Sequence, residues 1–425
     1  MVRTYKNSII VLLITLFLSM PGHAIEYTKG RVVDSYTRSP ISGAFVTLGN
    51  DVLQTDANGV FITRSKGDKV AVRAWGYLRT EQTITEPLEI RLIPFKPKAL
   101  YLSFYGIGEQ SLREPALRLI EDTELNALVI DVKGDRGRIV YGSSIPLASD
   151  IGAQKMILVK DIKGLIKSLK ERGIYTIARI VVFKDDLLAS TRPDLAVKTK
   201  SGEVWHDREN LEWVDPFERE VWDYNINIAV EVAQYGFDEI QFDYVRFPDA
   251  VGLKFSMENT EENRVNAISG YLREAKRRLI PYNVFLSVDT FGYVCWNTND
   301  SYIGQKLEEL APIVDYISPM LYPSAFQYGI PGYRNPVANP HEIVYLSLKR
   351  AEGRTDIPSV KFRPWLQAFR DYAFDRRYFN GKEIRSQIDA AEEFGSDGWM
   401  LWNPQNIYSP VGLKKLIEII RIVGH

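Results

Sequence analysis

Apolar and polar residues follow two different rhythms along this chain. Up to about Pro94 the apolar residues come in short β-rich runs, at 31–33, 44–48, 59–62, 69–74 and 88–92. Turn chemistry separates them at Ser39-Pro40, Gly49-Asn50-Asp51 and Asp56-Ala57-Asn58-Gly59. Short strands at that spacing predict a small β-sandwich over residues 27–94. After the proline-punctuated stretch Pro94-Phe95-Lys96-Pro97, strand-like runs alternate with helix-like segments to the end of the chain. Eight strands are expected, at 99–104, 127–132, 175–182, 237–243, 284–289, 316–321, 362–367 and 398–402. Amphipathic segments such as 160–172, 218–235, 261–279 and 383–394 lie between them, each ending near Gly173, Gly236, Pro281 or Gly395. This βα alternation predicts an α/β chain with a (β/α)8 barrel over 99–425. A doubly wound open sheet is the weaker alternative, because no glycine-rich phosphate loop follows the first strand.

Side-chain parity within the strands then locates polar groups. In 239–243, Ile240 and Phe242 form the apolar parity that meets the helices, and the other parity is polar and ends in Asp243. The fifth strand repeats the pattern, with Ser287 and Asp289 inward. The second places Asp131 and Lys133 inward, and the seventh puts Arg363, Trp365 and Gln367 on one parity. The C-terminal rim of the barrel, where active sites of this fold lie, is therefore expected to hold Asp131, Lys133, Arg179, Asp243, Asp289, Tyr322, Gln367 and Trp402. Mutual ion pairing is the plain alternative, with Asp131 facing Lys133 or Arg179 and Asp243 facing Arg246. Its weakness is that polar residues recur at the same end of so many strands.

Paired carboxylates at a barrel mouth suit glycosidic-bond cleavage, which needs one acid and one carboxylate. Asp243 is the expected nucleophile or electrostatic stabiliser, with Arg246 and Tyr244 beside it. Asp289, followed by Phe291, Tyr293 and Trp296, is the expected acid/base, and Asp131 is a third option for either role. The roles of the first two are exchangeable at this level. Trp402, Trp365, Tyr322 and Tyr105 are candidate stacking platforms, and Arg179, Lys133, Arg246, Asn403 and Gln367 are candidate hydrogen-bond partners for a sugar.

Two resemblances add to this reading. Gly30-Arg31-Val32-Val33-Asp34, Pro40-Ile41-Ser42-Gly43-Ala44-Phe45-Val46 and Thr55-Asp56-Ala57-Asn58-Gly59-Val60-Phe61 resemble the carboxypeptidase regulatory-like domain, which implies a supporting or binding role for 27–94. Further on, 126–133, 237–248 (ending Val245-Arg246-Phe247-Pro248), 314–323 and Gly398-Trp399-Met400-Leu401-Trp402-Asn403 resemble a bacterial glycoside hydrolase family of unassigned substrate with a TIM-barrel fold. More distantly, Asp243, Met320, Tyr322 and Trp402 are similar to positions of chitinase-like barrels. Those barrels carry a glutamate just beyond the fourth-strand aspartate, where this chain reads Tyr244-Val245-Arg246, against a substrate-assisted mechanism.

Composition narrows the surroundings. Arg3 and Lys6, the apolar run 9–18 and Pro21-Gly22-His23-Ala24 read as an export signal over 1–24, so a periplasmic or secreted protein with no integral membrane segment after cleavage is expected. The net charge is −1 with no basic stripe, so nucleic acid is not the expected partner and a polysaccharide or oligosaccharide is. Cys295 stands alone and is expected as a buried filler. The four histidines, His23, His206, His341 and His425, are scattered, so no metal site and no cofactor are expected. Two other functions stay open: a carbohydrate-binding scaffold without turnover, and a metal-dependent polysaccharide deacetylase using Asp131 and Asp243, for which only His206 is a plausible histidine ligand.

Overall fold

A computed structural model describes residues 27–49 and 51–416. The expected export signal over 1–24 lies outside the described residues.

The N-terminal region forms two small sheets. In the first, Thr28–Asp34 pairs antiparallel with Val60–Thr63 and parallel with Leu88–Leu92. In the second, the order is Asp51–Gln54, Phe45–Leu48, Lys69–Arg73 and Thr80–Thr83, all antiparallel. Val32 and Ile90 of one sheet share a core with Val46 and Val72 of the other, so the sheets form a sandwich. Leu88-Glu89-Ile90-Arg91-Leu92 shows the cause in miniature, its apolar parity buried and its charged parity exposed. The Asp56–Gly59 stretch is a turn, with the Asp56 Oδ1 accepting from the N–H groups of Asn58 and Val60. Two strands, Asp51–Gln54 and Thr80–Thr83, were not expected from sequence. Both are four residues long with no fully buried side chain, so the hydrophobic pattern carries no trace of them.

The rest is a closed barrel of eight parallel strands. In chain order they are Lys98–Leu102, Ala127–Lys133, Tyr175–Val181, Glu239–Asp243, Phe285–Phe291, Tyr316–Met320, Trp365–Gln367 and Trp399–Trp402. The eighth strand closes on the first, Trp399 opposite Lys98. Inward positions Ala99, Tyr101, Val129, Ile177, Phe285, Tyr316, Trp365 and Met400 make one core inside the barrel. Outward positions such as Ile240, Phe242, Leu286 and Val288 join the larger core beneath the helices. The helices start and stop where their sequences direct. Glu261–Leu279 is capped by the Thr260 hydroxyl, which accepts from Asn263 N–H; acidic residues occupy its first turn and Lys276, Arg277 and Arg278 its last. Gly381–Phe394 ends at Gly395, whose φ of 86° only glycine adopts without strain.

The sandwich docks on the N-terminal end of the barrel, opposite the mouth. Trp75, Leu78 and Phe95 pack against the interior core, and Phe95 stacks on Tyr175 with ring centroids 5.5 Å apart. Arg79 donates to the carbonyls of Gly236, Phe237 and Tyr282, just before the fourth and fifth strands, and Gly76 N–H donates to Asp397 before the eighth. Above this contact the barrel floor is ionic. Fully buried Arg363 bonds Glu239, lies 3.3 Å from Asp397 and sits 3.9 Å over the Tyr316 ring. A guanidinium in that position answers charges that would be costly to bury alone.

Candidate active site

Four consecutive strands, the second to the fifth, deliver Asp131, Arg179, Asp243 and Asp289 to one point at the C-terminal end of the barrel. Arg179 is the centre. Its Nη1 donates to Asp131 Oδ1 at 2.6 Å, and its Nε and Nη2 donate to Asp243 Oδ2 at 3.0 and 2.5 Å. Asp289 Oδ2 lies 3.9 Å from Nε. The Tyr101 hydroxyl donates to the other Asp131 oxygen at 2.5 Å, and Trp365 Nε1 donates to Asp289 Oδ1 at 2.7 Å. Tyr101 and Trp402 stack at 3.9 Å, and the guanidinium faces both rings, at 5.5 and 4.9 Å.

Three carboxyl groups around one guanidinium, all nearly buried, do not share charge equally. Burial, and then the neighbouring Asp243, push the Asp289 carboxyl well above the usual carboxylate range. Burial also raises Asp131, against the pull of Arg179 and Tyr101. Burial opposes the charge on Arg179, but Asp131 and Asp243 outweigh it and hold the guanidinium well above its ordinary value. The Tyr322 phenol is raised well above its ordinary value by burial and by the nearby Asp289 and Asp243. Asp289 Oδ2 is buried without a hydrogen-bond partner. Asp289 is thus the carboxyl whose charge is disfavoured, and Asp243 is the one Arg179 holds by two hydrogen bonds.

Two recesses open above this cluster, on either side of the Tyr101–Trp402 stack. One, of about 150 Å3, is lined by Arg179, Asp243, Tyr244, Met320, Tyr322, Trp365 and Trp402. The other, of about 140 Å3, is lined by Tyr101, Tyr105, Asp131 and the loop after the second strand. Asp243 and Asp131 therefore each face a recess, whereas Asp289 lies beneath and lines neither. Tyr244 follows Asp243 with φ 50°, a left-handed conformation rare for a bulky residue. The turn brings its N–H to Asp243 Oδ1 at 2.6 Å, and its ring is held among Trp213, Lys184 and Arg246.

Several residues expected at the mouth are engaged elsewhere. The second strand carries one extra residue, Val132, opposite the Arg179–Ile180 step, and this bulge breaks the alternation. Lys133 consequently leaves the interior, fully buried, with its Nζ 2.7 Å from Asp185 and 2.6 Å from the Val181 carbonyl. Arg246 does not pair with Asp243; it lies over the Trp213 ring at 4.9 Å and donates to the Phe247 carbonyl. Gln367 is buried and bonds Ser324 of the loop after the sixth strand. The Asn403 amide donates to the carbonyls of Ala368 and Ile407, bracing the last loop. Both amides are positioning groups. Tyr105 is half-exposed beside Asp131, in the recess across the stack from Trp402's. His206 pairs with Glu212 at 3.0 Å, and Cys295 is buried. Among the described residues no group of three or more His, Cys, Asp or Glu side chains is arranged to hold a metal ion, and no helix is long and apolar enough to cross a membrane.

Sequence reasoning missed Tyr101, while it named Tyr244 beside Asp243 and Met320 by resemblance. Tyr101 was within reach, since it shares the inward parity of Ala99. The left-handed turn of Tyr244 leaves no mark in the pattern.

Comparisons with known proteins agree with the architecture. Residues 99–408 match the family described as "Putative glycosyl hydrolase domain". The glycoside hydrolase domain of PgaB (BpsB) from Bordetella bronchiseptica is similar in fold, with a TM-score of 0.54 and 14% identity over 74% of this chain and 95% of its own. A hypothetical protein from Ruminiclostridium thermocellum ATCC 27405 is 38% identical over 45% of this chain and 96% of its own, with a TM-score of 0.40. A chitinase from Chromobacterium violaceum ATCC 12472 is 14% identical over 75% of this chain and 95% of its own, with a TM-score of 0.43. No curated protein matches the chain.

Proposed function

The chain belongs to this glycosyl hydrolase family, and from that premise we propose that it cleaves an extracellular or envelope polysaccharide at the Asp243 recess. The observation that carries the reading is the Asp243–Asp289 pair on Arg179, with Asp243 facing a recess walled by Trp402, Trp365 and Tyr322. In this reading the pair carries one proton, on Asp289, whose ionisation burial and the Asp243 charge disfavour. Hydrolysis draws on that proton. The glycosidic C–O bond breaks and the departing oxygen takes a proton from the carboxyl pair, while carboxylate charge stabilises the developing cation at the anomeric carbon. Water then adds its hydroxyl to that carbon and returns a proton to the pair, so one water is consumed per bond. Asp131 fixes Arg179 from the other side, and the aromatic walls offer flat faces to a sugar ring. The extracellular or envelope setting rests on the export signal read in residues 1–24.

The deacetylase reading is disfavoured by positive contacts. Asp131 and Asp243 are engaged by Arg179, and His206 by Glu212. A non-hydrolytic scaffold is tested directly. The purified protein, Asp243→Asn and Asp289→Asn are incubated with a broad glycan panel, and products and binding are both measured. Cleavage by the wild type, lost in both folded variants, supports the hydrolase. Binding without cleavage, equal in all three proteins, replaces it with the scaffold.

A further inference from the structure

The loop after the second strand is a tight hairpin that places two arginines beside Asp131. Gly134 N–H donates to the Arg138 carbonyl, Gly137 N–H donates to that of Gly134, and Lys133 bridges Ile139. Gly137 has φ 73°, and a Cβ there would stand 2.1 Å from Asp185 Oδ1. The hairpin therefore rests directly on Asp185, whose oxygens take Lys133 and the Leu188 N–H in a fully buried setting. The bulge that expels Lys133 from the barrel thus anchors the hairpin.

Arg136 is exposed and Arg138 is half-buried, and both line the 140 Å3 recess with Asp131 and Tyr105. Among the described residues neither guanidinium has a hydrogen-bond or ion-pair partner. Both Asp131 oxygens are occupied by Arg179 and Tyr101. Asp135 also lines the recess, 4.0 Å from a Lys184 that Glu209 and Asp207 hold more closely. Two unpartnered guanidinium groups against the single Asp135 carboxylate leave a cationic excess at the recess, and guanidinium groups suit planar or tetrahedral oxyanions.

We propose that this recess receives an anionic substituent of the glycan, a carboxylate or a sulfate or phosphate ester, held by Arg136 and Arg138 while the Tyr105 ring supports the sugar. The proposal rests on the hydrolase reading, and the substrate class it names is an acidic polysaccharide. Binding is measured with Asp243→Asn, which separates recognition from turnover, using a uronate polymer and its carboxyl-reduced form, a sulfated glycan and its desulfated form, and a phosphorylated glycan and its dephosphorylated form. At least one anionic member is expected to bind roughly tenfold tighter than its neutral partner at low salt. The preference should shrink as salt rises and largely vanish when Arg136→Gln and Arg138→Gln are added together. The pair that shows the effect identifies the anion. Equal binding within every pair, or a preference untouched by the two added substitutions, overturns the proposal. Anion-selective binding without any wild-type cleavage would instead remove the hydrolase reading and leave the anion site standing.

Discussion

Arg179 directs two of its nitrogens, Nε and Nη2, at one oxygen of Asp243, at 3.0 and 2.5 Å, while its third, Nη1, reaches Asp131. One cation thereby sets the orientation of two carboxyl groups on flanking strands. Replacing it by glutamine strands buried charge, and the expected loss is about 3–5 kcal/mol of stability together with activity. Urea unfolding of Arg179→Gln checks this. A loss below about 1 kcal/mol would mean that solvent reaches the carboxylates more freely than their burial implies.

Asp289 makes stability depend on pH in a defined sense. Its folded-state value lies well above that of the unfolded chain, chiefly through burial, so the folded protein binds more protons over the interval between them. The contribution is complete below the unfolded value near 3.8 and is lost as pH rises through the folded one. Asp289→Asn removes that proton and should flatten the fall of stability above pH 4 by up to about 1.4 kcal/mol per pH unit. Melting temperatures of the two proteins across pH 4–8 give the comparison, and parallel curves would place the raised acid elsewhere.

Trp402 forms a wall of the Asp243 recess and stacks on Tyr101. Trp402→Ala should raise KM roughly tenfold by removing a sugar platform, with a smaller effect on kcat. Trp402→Phe should recover most of the loss. Kinetics in which the phenylalanine variant is as impaired as the alanine one would assign the indole a role other than stacking.

Arg79 is one of the polar ties between the sandwich and the barrel, donating to three carbonyls at the barrel's N-terminal end. Arg79→Ala should cost roughly 2–3 kcal/mol, because those carbonyls lose a charged donor. Calorimetry should show the sandwich and barrel transitions separating as the tie is lost. A single unshifted transition would show that the apolar contacts of Trp75, Leu78 and Phe95 and the remaining polar ties, such as Gly76 to Asp397, hold the two together without Arg79.

The eight strands and their parity were legible because a strand between a packed interior and a helix layer must alternate consistently. Asp243, Asp289 and Arg179 follow from that alternation alone. Lys133 did not, since a single extra residue at Val132 reverses facing and leaves the composition unchanged. Gln367 ends the seventh strand and Asn403 follows the eighth, but their amides bond a neighbouring serine and loop backbone, contacts set by loop paths that periodicity does not encode. The pairing of Asp243 with Arg179 in place of Arg246 has the same origin. Arg246 is nearer along the chain, yet the left-handed turn at Tyr244 swings it onto Trp213.

The stack of Tyr101 on Trp402 joins the first barrel strand to the last. During synthesis the carboxylates and their arginine emerge early, but the ring that completes the wall is made only when almost the whole chain has left the ribosome. A chain halted between the fifth and the eighth strand holds Asp131, Arg179, Asp243 and Asp289 without a closed barrel to set them against each other. Closure of the barrel and completion of the stack therefore arrive together, with the final strand.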